Sequence, residues 1–197
     1  MSWTIVGLGN PGAEYDGSRH NVGRDVLRSI LKKESIDTWK DDKTLHAQST
    51  KGTLFGKKIV ALLPDTYMNN SGRSLSTLVT TKKAAEQLIV LQDELDLPLG
   101  RIKLSFGSSS GGHRGIESIQ RAIKTKDFIR VRIGICPATP KGKAKKPDSD
   151  AVVDFVLGKF RPAEKTKLAV AEKNVTDAIE LILTKDLQSA MTVIHSR

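Results

Sequence analysis

Residues 5–15 read IVGLGNPGAEY, an apolar, β-prone start that breaks abruptly into glycines and a proline. Such a change is typical of a buried strand that ends in a loop with unusual backbone angles. Asn10 lies in this loop, and His20 and Asn21 follow it. We therefore expect a polar site directly beyond a strand end, with Asn21 able to cap the next helix. The apolar positions of that helix would be Val22, Val26, Leu27, Ile30 and Leu31.

The glycines of this loop, Gly7, Gly9 and Gly12, also match the dinucleotide-binding pattern G-x-G-x-x-G. That pattern requires a helix that begins on the glycines, so that its N-terminus faces the pyrophosphate. Here the run 14–19 delays the helix to about Asn21. A dinucleotide-dependent oxidoreductase would also need an acidic residue at the end of a second parallel strand, whereas the next candidate strand is basic and hairpin-like. The sequence therefore disfavours dinucleotide binding.

The composition describes a basic protein of one domain. The 197 residues are 38% hydrophobic, which is enough for a substantial core. Thirty-two Lys and Arg against 22 Asp and Glu give a net charge of +10, which favours a polyanionic partner such as nucleic acid. A generally basic, solvated surface is the alternative. There is no run of 18 apolar residues and no signal peptide, so we expect a soluble protein without a membrane segment. The single cysteine, Cys136, excludes an internal disulfide and suits a reducing cytoplasm.

Apolar segments of strand length alternate along the chain with segments of helical periodicity. Strands are predicted at 44–51, 52–63, 88–91, 101–106 and 128–135, and helices at 116–123, 162–184 and 187–194. The first two strands would join near Lys51–Gly52, and a further helix around Leu75–Val79 would follow the polar turn 64–72. Three apolar strands that end in polar loops indicate an α/β sheet whose site lies beyond the strand ends. We expect these loops to converge.

A glycine-rich loop, residues 107–115, follows the predicted strand 101–106 and precedes a helix. This order resembles a phosphate-binding loop, but His113 and Arg114 stand where that motif needs Lys and then Ser or Thr. Nucleoside triphosphate hydrolysis is therefore disfavoured. Backbone amides of the loop could still receive a phosphate or carboxylate, and a purely structural turn is the alternative.

The segment 137–150 is rich in Pro, Gly, Lys and Asp, with four lysines between 141 and 146. We expect it to be a mobile basic loop, followed by C-terminal helices within 162–194. No internal repeat or interdomain linker is present, so residues 1–197 are predicted to form a single domain. The four histidines are scattered along the chain, and no metal-ligand spacing is present.

His20 and Asp93 form the clearest candidate pair for chemistry, because each stands where an apolar strand or a glycine loop gives way to polar residues. A neutral imidazole with a carboxylate behind it can take a proton from water, and the carboxylate stabilises the imidazolium that results. No serine or cysteine stands out as a nucleophile, which favours direct attack by water. The alternative is a surface histidine, with Asp93 serving as a loop cap.

Six motifs span the chain in order: residues 6–12 (VGLGNPG) with 15, 19–21 and 23; 64, 66, 68–69 and 71–72; 93–98 (DELDLP); 111–113 with 115; 132–135 (RIGI); and 156–160 (VLGKF). Taken together, they make the chain resemble the bacterial-type peptidyl-tRNA hydrolases over nearly its whole length. Six motifs in the same order are far more specific than any one of them.

The resemblance implies cleavage of the ester between a peptide and the 3′-terminal ribose of tRNA, which recycles peptidyl-tRNA released prematurely from ribosomes. It implies a single domain with a mixed, twisted β-sheet flanked by α-helices. Such a protein is expected to be a cytoplasmic monomer with no metal, no cofactor, no membrane contact and no obligatory protein partner.

The resemblance also assigns catalytic roles to particular residues. His20 would be the general base and Asp93 would orient it. Asn10 and Asn69 would hold substrate and water, and Asn69 is a candidate stabiliser of the developing oxyanion.

Substrate contacts are implied for Tyr15, Met68 and His113. Met68 would pack beside the terminal sugar or the peptide, and His113 would lie by the peptide side of the cleft. The loop 137–150 and the helical tail would cover the site.

At two positions the chain departs from the resemblance. The family usually has Asn after Gly-Gly-His, where this chain has Arg114, so that a cation replaces an amide. The family also tends to clamp a tRNA phosphate with a lysine where this chain has Ser105. We expect Lys103 and Arg130 to share that duty with Arg114, which could bind phosphate or tune the base.

A catalytically idle relative that holds structured RNA on a basic surface is the alternative from another class. Such a protein could discard His20, Asp93 and Asn10, yet all three are present. This observation favours the enzyme.

Overall fold

A computed structural model describes residues 2–197 and shows one seven-stranded sheet with helices packed on both faces. The strands are β1 (Trp3–Gly7), β2 (Lys40–Asp42), β3 (Ala47–Leu54), β4 (Lys57–Pro64), β5 (Leu88–Pro98), β6 (Ile102–Phe106) and β7 (Ile129–Cys136). The α-helices are α1 (Val22–Lys33), α2 (Lys82–Glu86), α3 (Arg114–Ile123), α4 (Val152–Leu157), α5 (Lys165–Thr184) and α6 (Leu187–His195). The predicted fold class, a single α/β domain with a mixed sheet, is confirmed.

The strand order is β2-β3-β4-β1-β5-β7-β6. The strands β4, β1, β5 and β7 run parallel to one another. The outer strands are antiparallel to their neighbours: β3 to β4, β2 to β3, and β6 to β7. The carboxyl ends of the parallel strands therefore lie at one edge of the sheet, where α/β proteins place their sites.

The central strand β5 is buried from Leu88 to Asp93. Ile89 and Leu91 belong to the core shared with α1, α5 and α6, whereas Val90 packs on the opposite face with Ile116 of α3. Each fully buried Leu or Ile contributes about 1.5–3 kcal/mol relative to an exposed one. These two layers fix β5, and with it the position of Asp93.

Two glycines allow α1 to lie directly against the sheet. A Cβ on Gly7 would lie 2.6 Å from the Gly23 carbonyl oxygen, and a Cβ on Gly23 would collide with the Leu91 carbonyl. The helix begins at Val22, as the delay after the glycine loop predicts. The first glycine therefore serves close packing of strand and helix rather than a helix N-terminus of the dinucleotide type.

The predicted hairpin is present, but its turn is not at Lys51–Gly52. The turn lies at Phe55 and Gly56, which have φ angles of 46° and 76°. Two successive positive φ angles are typical of a tight hairpin turn. Gly52 lies inside β3, where a Cβ would approach Ile36 to 2.8 Å. The glycine marks a close contact instead of a turn.

Two further boundaries differ from prediction. The polar turn itself contains a 3-10 helix, Met68–Ser74, and the segment predicted as a helix around Leu75–Val79 forms a turn. The 3-10 helix presses against α3, because a Cβ on Gly72 would collide with the Ser118 carbonyl. The strand predicted to stop at residue 91 continues to residue 98, since it keeps pairing with β7 beyond that point. Asp93 is therefore held in a strand and not in a loop.

The predicted C-terminal helices are present as α5 and α6. The segment 137–150 contains an isolated bridge between Ala138 and Ala144, and its Lys146 forms an ion pair with Asp96 at 2.8 Å. Its mobility stays a prediction. Among residues 2–197, every α-helix is too short or too polar to cross a bilayer.

Candidate active site

A cleft of about 860 Å³ opens at the carboxyl edge of the parallel strands. Part of its lining comes from the loop after β1, the loop after β4, β5 itself and the start of α3: Asn10, His20, Met68, Asn69, Asp93, His113 and Arg114. The helix α4 supplies an apolar wall through Val152, Val153, Val156 and Leu157. The predicted convergence of the loops is confirmed.

His20 and Asp93 are in direct contact within the cleft. His20 lies in a 3-10 turn, Arg19–Asn21, that immediately precedes α1. Its Nδ1 lies 2.8 Å from Oδ1 of Asp93, whose side chain is only 5% exposed. This bond orients the imidazole and leaves Nε2 free to act on a molecule in the cleft. Asp93 is a partner of His20 and not merely a loop cap.

His113 joins the same carboxylate, a contact that the sequence interpretation missed. Its Nε2 lies 2.9 Å from Oδ1 of Asp93, and the rings of His20 and His113 are 5.4 Å apart. Its Nδ1 accepts the backbone N–H groups of Gly115 and Ile116, so the imidazole caps α3. The sequence does contain a signal for this contact. A histidine directly before an amphipathic helix stands at the N-cap position, where a side-chain acceptor can bind the free N–H groups of the first turn.

Burial and mutual attraction compete in setting the charges of this cluster. Burial raises the pKa of Asp93, but attraction and hydrogen bonds from His20 and His113 outweigh it, so the pKa lies far below the ordinary value. Burial lowers the pKa of His20, Asp93 raises it, and Arg114 lowers it, with a net rise. Asp93 is therefore ionised throughout the pH range in which His20 titrates.

Asn10 connects the first two loops of the cleft. Its Oδ1 accepts the N–H of Met68 at 2.8 Å, which leaves its amide NH₂ as the group available to a substrate. The Asn21 side chain makes no cap for α1, contrary to prediction. It accepts the backbone N–H of Asn10 at 2.8 Å and donates to the Asn10 carbonyl at 2.9 Å. Asn21 thus holds the loop that positions Asn10.

The other predicted substrate residues divide into two groups. Met68 is buried beneath the cleft, while Asn69 and Arg114 line it with exposed side chains. Tyr15 lies in the 3-10 helix Ala13–Tyr15 and is half-buried. Within residues 2–197 it is not one of the residues that line this cleft.

The two basic residues expected to bind phosphate lie elsewhere. Arg130 is only 4% exposed, and its Nη1 donates to the Ser109 carbonyl at 2.5 Å. Its guanidinium thereby holds the glycine-rich loop, and a contact between Arg130 and tRNA phosphate stays a prediction. Lys103 is exposed and lines a second cavity of about 370 Å³, together with Arg101 and His195.

Three residues, His20, Asp93 and His113, each offer one atom that can bind a metal. These three atoms lie within 4.8 Å of one another, a spacing that a metal ion could bridge. Coordination by Nε2 of His113 would require its proton to move to Nδ1. There the proton would face the N–H groups of Gly115 and Ile116. The helix cap therefore opposes metal binding through this imidazole, and the cluster is suited to holding and moving protons.

The sheet and the cleft define an α/β protein with a histidine–aspartate site of the hydrolytic type. A model of the family described as "Peptidyl-tRNA hydrolase" matches residues 4–197. The chain belongs to this family of enzymes.

Individual relatives agree over nearly the full length. The peptidyl-tRNA hydrolase of Dehalococcoides mccartyi strain 195 is 42% identical, with 98% of each chain covered. That of Halalkalibacterium halodurans is 38% identical, with 97% of this chain and 98% of the relative covered. A crystal structure of peptidyl-tRNA hydrolase from Acinetobacter baumannii superposes with a TM-score of 0.86 at 34% identity, covering 98% of this chain and 94% of that one.

Proposed function

We propose that this chain hydrolyses the ester between a peptidyl group and the 3′-terminal ribose of tRNA, with His20 as the general base. The observation that carries this proposal is the His20–Asp93 hydrogen bond at 2.8 Å, which leaves the second imidazole nitrogen facing the cleft of a family member. An ester is a weak enough link for base-activated water to cleave without a cofactor.

The reaction begins when Nε2 of His20 takes a proton from a water molecule. The water oxygen then attacks the ester carbonyl carbon, and the negative charge develops on the carbonyl oxygen. The amide of Asn69 donates to this oxyanion, and the amide of Asn10, which also lines the cleft, holds substrate and water. As the C–O bond to the ribose breaks, the His20 imidazolium returns its proton to the ribose oxygen. The products are a free peptide carboxyl group and a tRNA with an intact 3′ hydroxyl.

Asp93 supports this cycle as a permanent anion behind the base. Because its pKa is far below the ordinary value, it remains charged while His20 gains and loses a proton. It fixes His20 in the tautomer with the proton on Nδ1 and stabilises the imidazolium that forms after water is deprotonated.

The peptide side of the cleft is formed by α4. Val153 is 54% exposed and Leu157 is 38% exposed, and both line the cleft. Apolar side chains left open to solvent in a cleft are typical of a binding surface. The nascent peptide is placed along this wall, with its C-terminal carbonyl directed toward His20.

Arg114 is placed at the tRNA side and binds a phosphate of the 3′ end. It is the first residue of α3, lines the cleft with an exposed side chain, and acts on the pKa of His20. With Arg130 enclosed, it is a cation within the cleft that a phosphate can reach. A flexible guanidinium is well suited to phosphate recognition.

Arg114→Asn tests this role and restores the residue usual in the family. If Arg114 binds phosphate, its charge is neutralised in the enzyme–substrate complex, so the variant raises KM, reduces the salt dependence and leaves the pH profile of kcat unmoved. If it instead tunes the base, the acidic limb of the kcat profile moves upward in pH with KM little changed. Arg121→Asn, an exposed position in the last turn of the same helix, is the matched control.

The reaction and its selectivity are tested together with two charged tRNAs, one with an N-acetylated aminoacyl group and one with a free amino group. Hydrolysis of only the first is expected, because it resembles a peptide. Cleavage of both at equal rates, or of neither, would contradict the proposal.

The same proposal places the enzyme in the cytoplasm, where tRNA takes part in translation. It acts as a monomer without an obligatory protein partner, because each polar residue invoked above lies in one cleft of one chain. Sedimentation of the active protein measures this state.

A further inference from the structure

One buried carboxylate oxygen receives two imidazoles in this protein. Oδ1 of Asp93 lies 2.8 Å from Nδ1 of His20 and 2.9 Å from Nε2 of His113. The Asp93 side chain is 5% exposed and that of His113 is 8% exposed. The two rings are therefore coupled through a shared acceptor with little access to water.

The tautomer of His113 follows from its position at the start of α3. Its Nδ1 accepts the N–H of Gly115 at 3.1 Å and the N–H of Ile116 at 3.3 Å. A nitrogen that accepts from two N–H groups cannot itself carry a proton. The single proton of neutral imidazole is therefore on Nε2, from which it is donated to Asp93. A proton on Nδ1 would break the helix cap, so the cap favours the Nε2–H tautomer.

The two histidines consequently act on Asp93 in different ways. His20 changes charge during the proposed reaction, whereas His113 donates a hydrogen bond from a fixed Nε2–H tautomer. A second donor on the same oxygen stabilises the ionised carboxylate and reduces its attraction for the first donor. The contact of His113 thus opposes an excessive rise in the proton affinity of His20.

We propose that His113 is a positioning residue of the reaction: locked by the cap of α3 as the Nε2–H tautomer, it occupies Oδ1 of Asp93 and thereby sets the orientation and proton affinity of His20. The inference rests on the proposed role of His20 as the base. It assigns His113 to the base machinery, in place of the contact with the peptide that the resemblance implies.

The other charges around the cluster are accounted for. Arg114 of α3 lowers the pKa of His20. Glu94 of β5 is paired with Arg132 of β7 at 2.6 Å, and Asp96 is paired with Lys146 at 2.8 Å. These groups are unchanged in the variants below, so a shift in the pH profile reports the loss of the His113 bond.

Two substitutions separate the two bonds of His113. In His113→Asn the amide oxygen can replace Nδ1 as the helix cap, but the side chain is too short to reach Asp93. In His113→Gln the amide NH₂ reaches the place of Nε2 and can donate to Asp93, while the cap is lost.

With an N-acetylated aminoacyl-tRNA as substrate, His113→Asn is expected to move the acidic limb of the kcat/KM profile upward by about 0.5–1 pH unit, with a nearly normal Tm. His113→Gln is expected to keep the limb within about 0.2 unit of its original pH and to lower the Tm by a few degrees. An unmoved or lowered limb in His113→Asn, or equal shifts in both variants, would overturn the proposal.

Nitrogen-15 NMR of the unaltered protein gives a readout that needs no activity. At pH 8 the ring of His113 should show the shifts of the Nε2–H tautomer, and His113→Asn should raise the measured pKa of His20. A proton on Nδ1 of the His113 ring at pH 8, or an unchanged pKa of His20 in His113→Asn, would overturn the inference even if His20 proves to be the base. If His20 is not the base, the kcat/KM profile has no acidic limb that reports its protonation. The NMR measurements on the two histidines still decide the role of His113 in that case.

Discussion

At the scale of single residues, His20 is expected to carry the chemistry and little of the binding. His20→Ala should lower kcat by about 10²–10⁴-fold, because it removes a general base. The affinity for tRNA should stay nearly the same, since the base acts on water and not on the polyanion. Single-turnover kinetics and filter binding measure the two quantities. The control is His46→Asn, whose hydrolytic activity should be normal. Asparagine is chosen because residue 46 has a φ of 47°, which asparagine tolerates. Near-normal kcat in His20→Ala would refute the assignment.

Asp25, in the first turn of α1, makes stability depend on pH. Burial, and then the neighbouring carboxylate of Asp16, raises its pKa to about 6. The folded state therefore holds a proton that the unfolded chain has already released, and stability falls as pH rises from about 4 to 6. Above that range Asp25→Asn should raise the free energy of unfolding by about 1–2 kcal/mol and flatten the decline. Urea denaturation between pH 4 and 8 measures this, and Asp37→Asn, at an exposed position, should change little. A less stable Asp25→Asn protein at pH 7 would contradict the expectation.

At the scale of secondary-structure elements, Arg19 joins the catalytic turn to the C-terminal layer. Its guanidinium lies 4.7 Å from the ring centroid of Phe155 and 4.8 Å from that of Phe160. It also donates to the Ile135 carbonyl at 3.1 Å and to Glu164 at 2.8 Å. The turn that contains His20, the end of β7 and the helix α4 therefore meet at one side chain.

Arg19→Ala should destabilise the protein by about 3 kcal/mol, because it removes the partly buried ion pair with Glu164 and the contacts with the rings of Phe155 and Phe160. KM should also rise, since α4 forms the apolar wall of the cleft. Thermal denaturation and steady-state kinetics measure both effects. The control is Arg28→Ala, which removes an exposed arginine from α1. It should lower the free energy of unfolding by less than about 0.5 kcal/mol. Equal effects of the two substitutions would show that Arg19 does not join these elements.

At the scale of the whole molecule, the net charge of +10 predicts binding of tRNA that weakens with salt. With three to five phosphate contacts, the slope of log affinity against log salt should be roughly −2 to −5. Catalytically silent His20→Ala protein allows this to be measured by filter binding. Lys103→Ala should make the slope less steep by about one unit. Lys57→Ala is the control, because Lys57 begins β4 at the edge of the sheet opposite the cleft. An affinity for tRNA that does not change with salt concentration would show that the net charge does not contribute to binding.

Much of the architecture was predictable because hydrophobic periodicity reports which face of an element is buried. The apolar run Leu88–Leu91 predicts the central strand, and the polar loop before Asn21 predicts that α1 begins well after the glycines. The hairpin turn was misplaced because Gly52 reads as a turn residue, whereas its role is to admit Ile36 from another element. Local sequence cannot distinguish a glycine needed for its φ angle from one needed for space.

The sequence by itself determined the family of this protein and the candidates His20, Asp93 and Asn10, because strand-to-loop transitions and chemically capable residues are local features. Only the tertiary structure decided which side chains meet. His20 and Asp93 are 73 residues apart, and Asp93 reaches His113 across another 20. The same structure turned Arg130 inward, toward the Ser109 carbonyl. Such pairings depend on strand order, register and helix placement, which bring distant residues within hydrogen-bonding distance and leave no periodic trace in the chain.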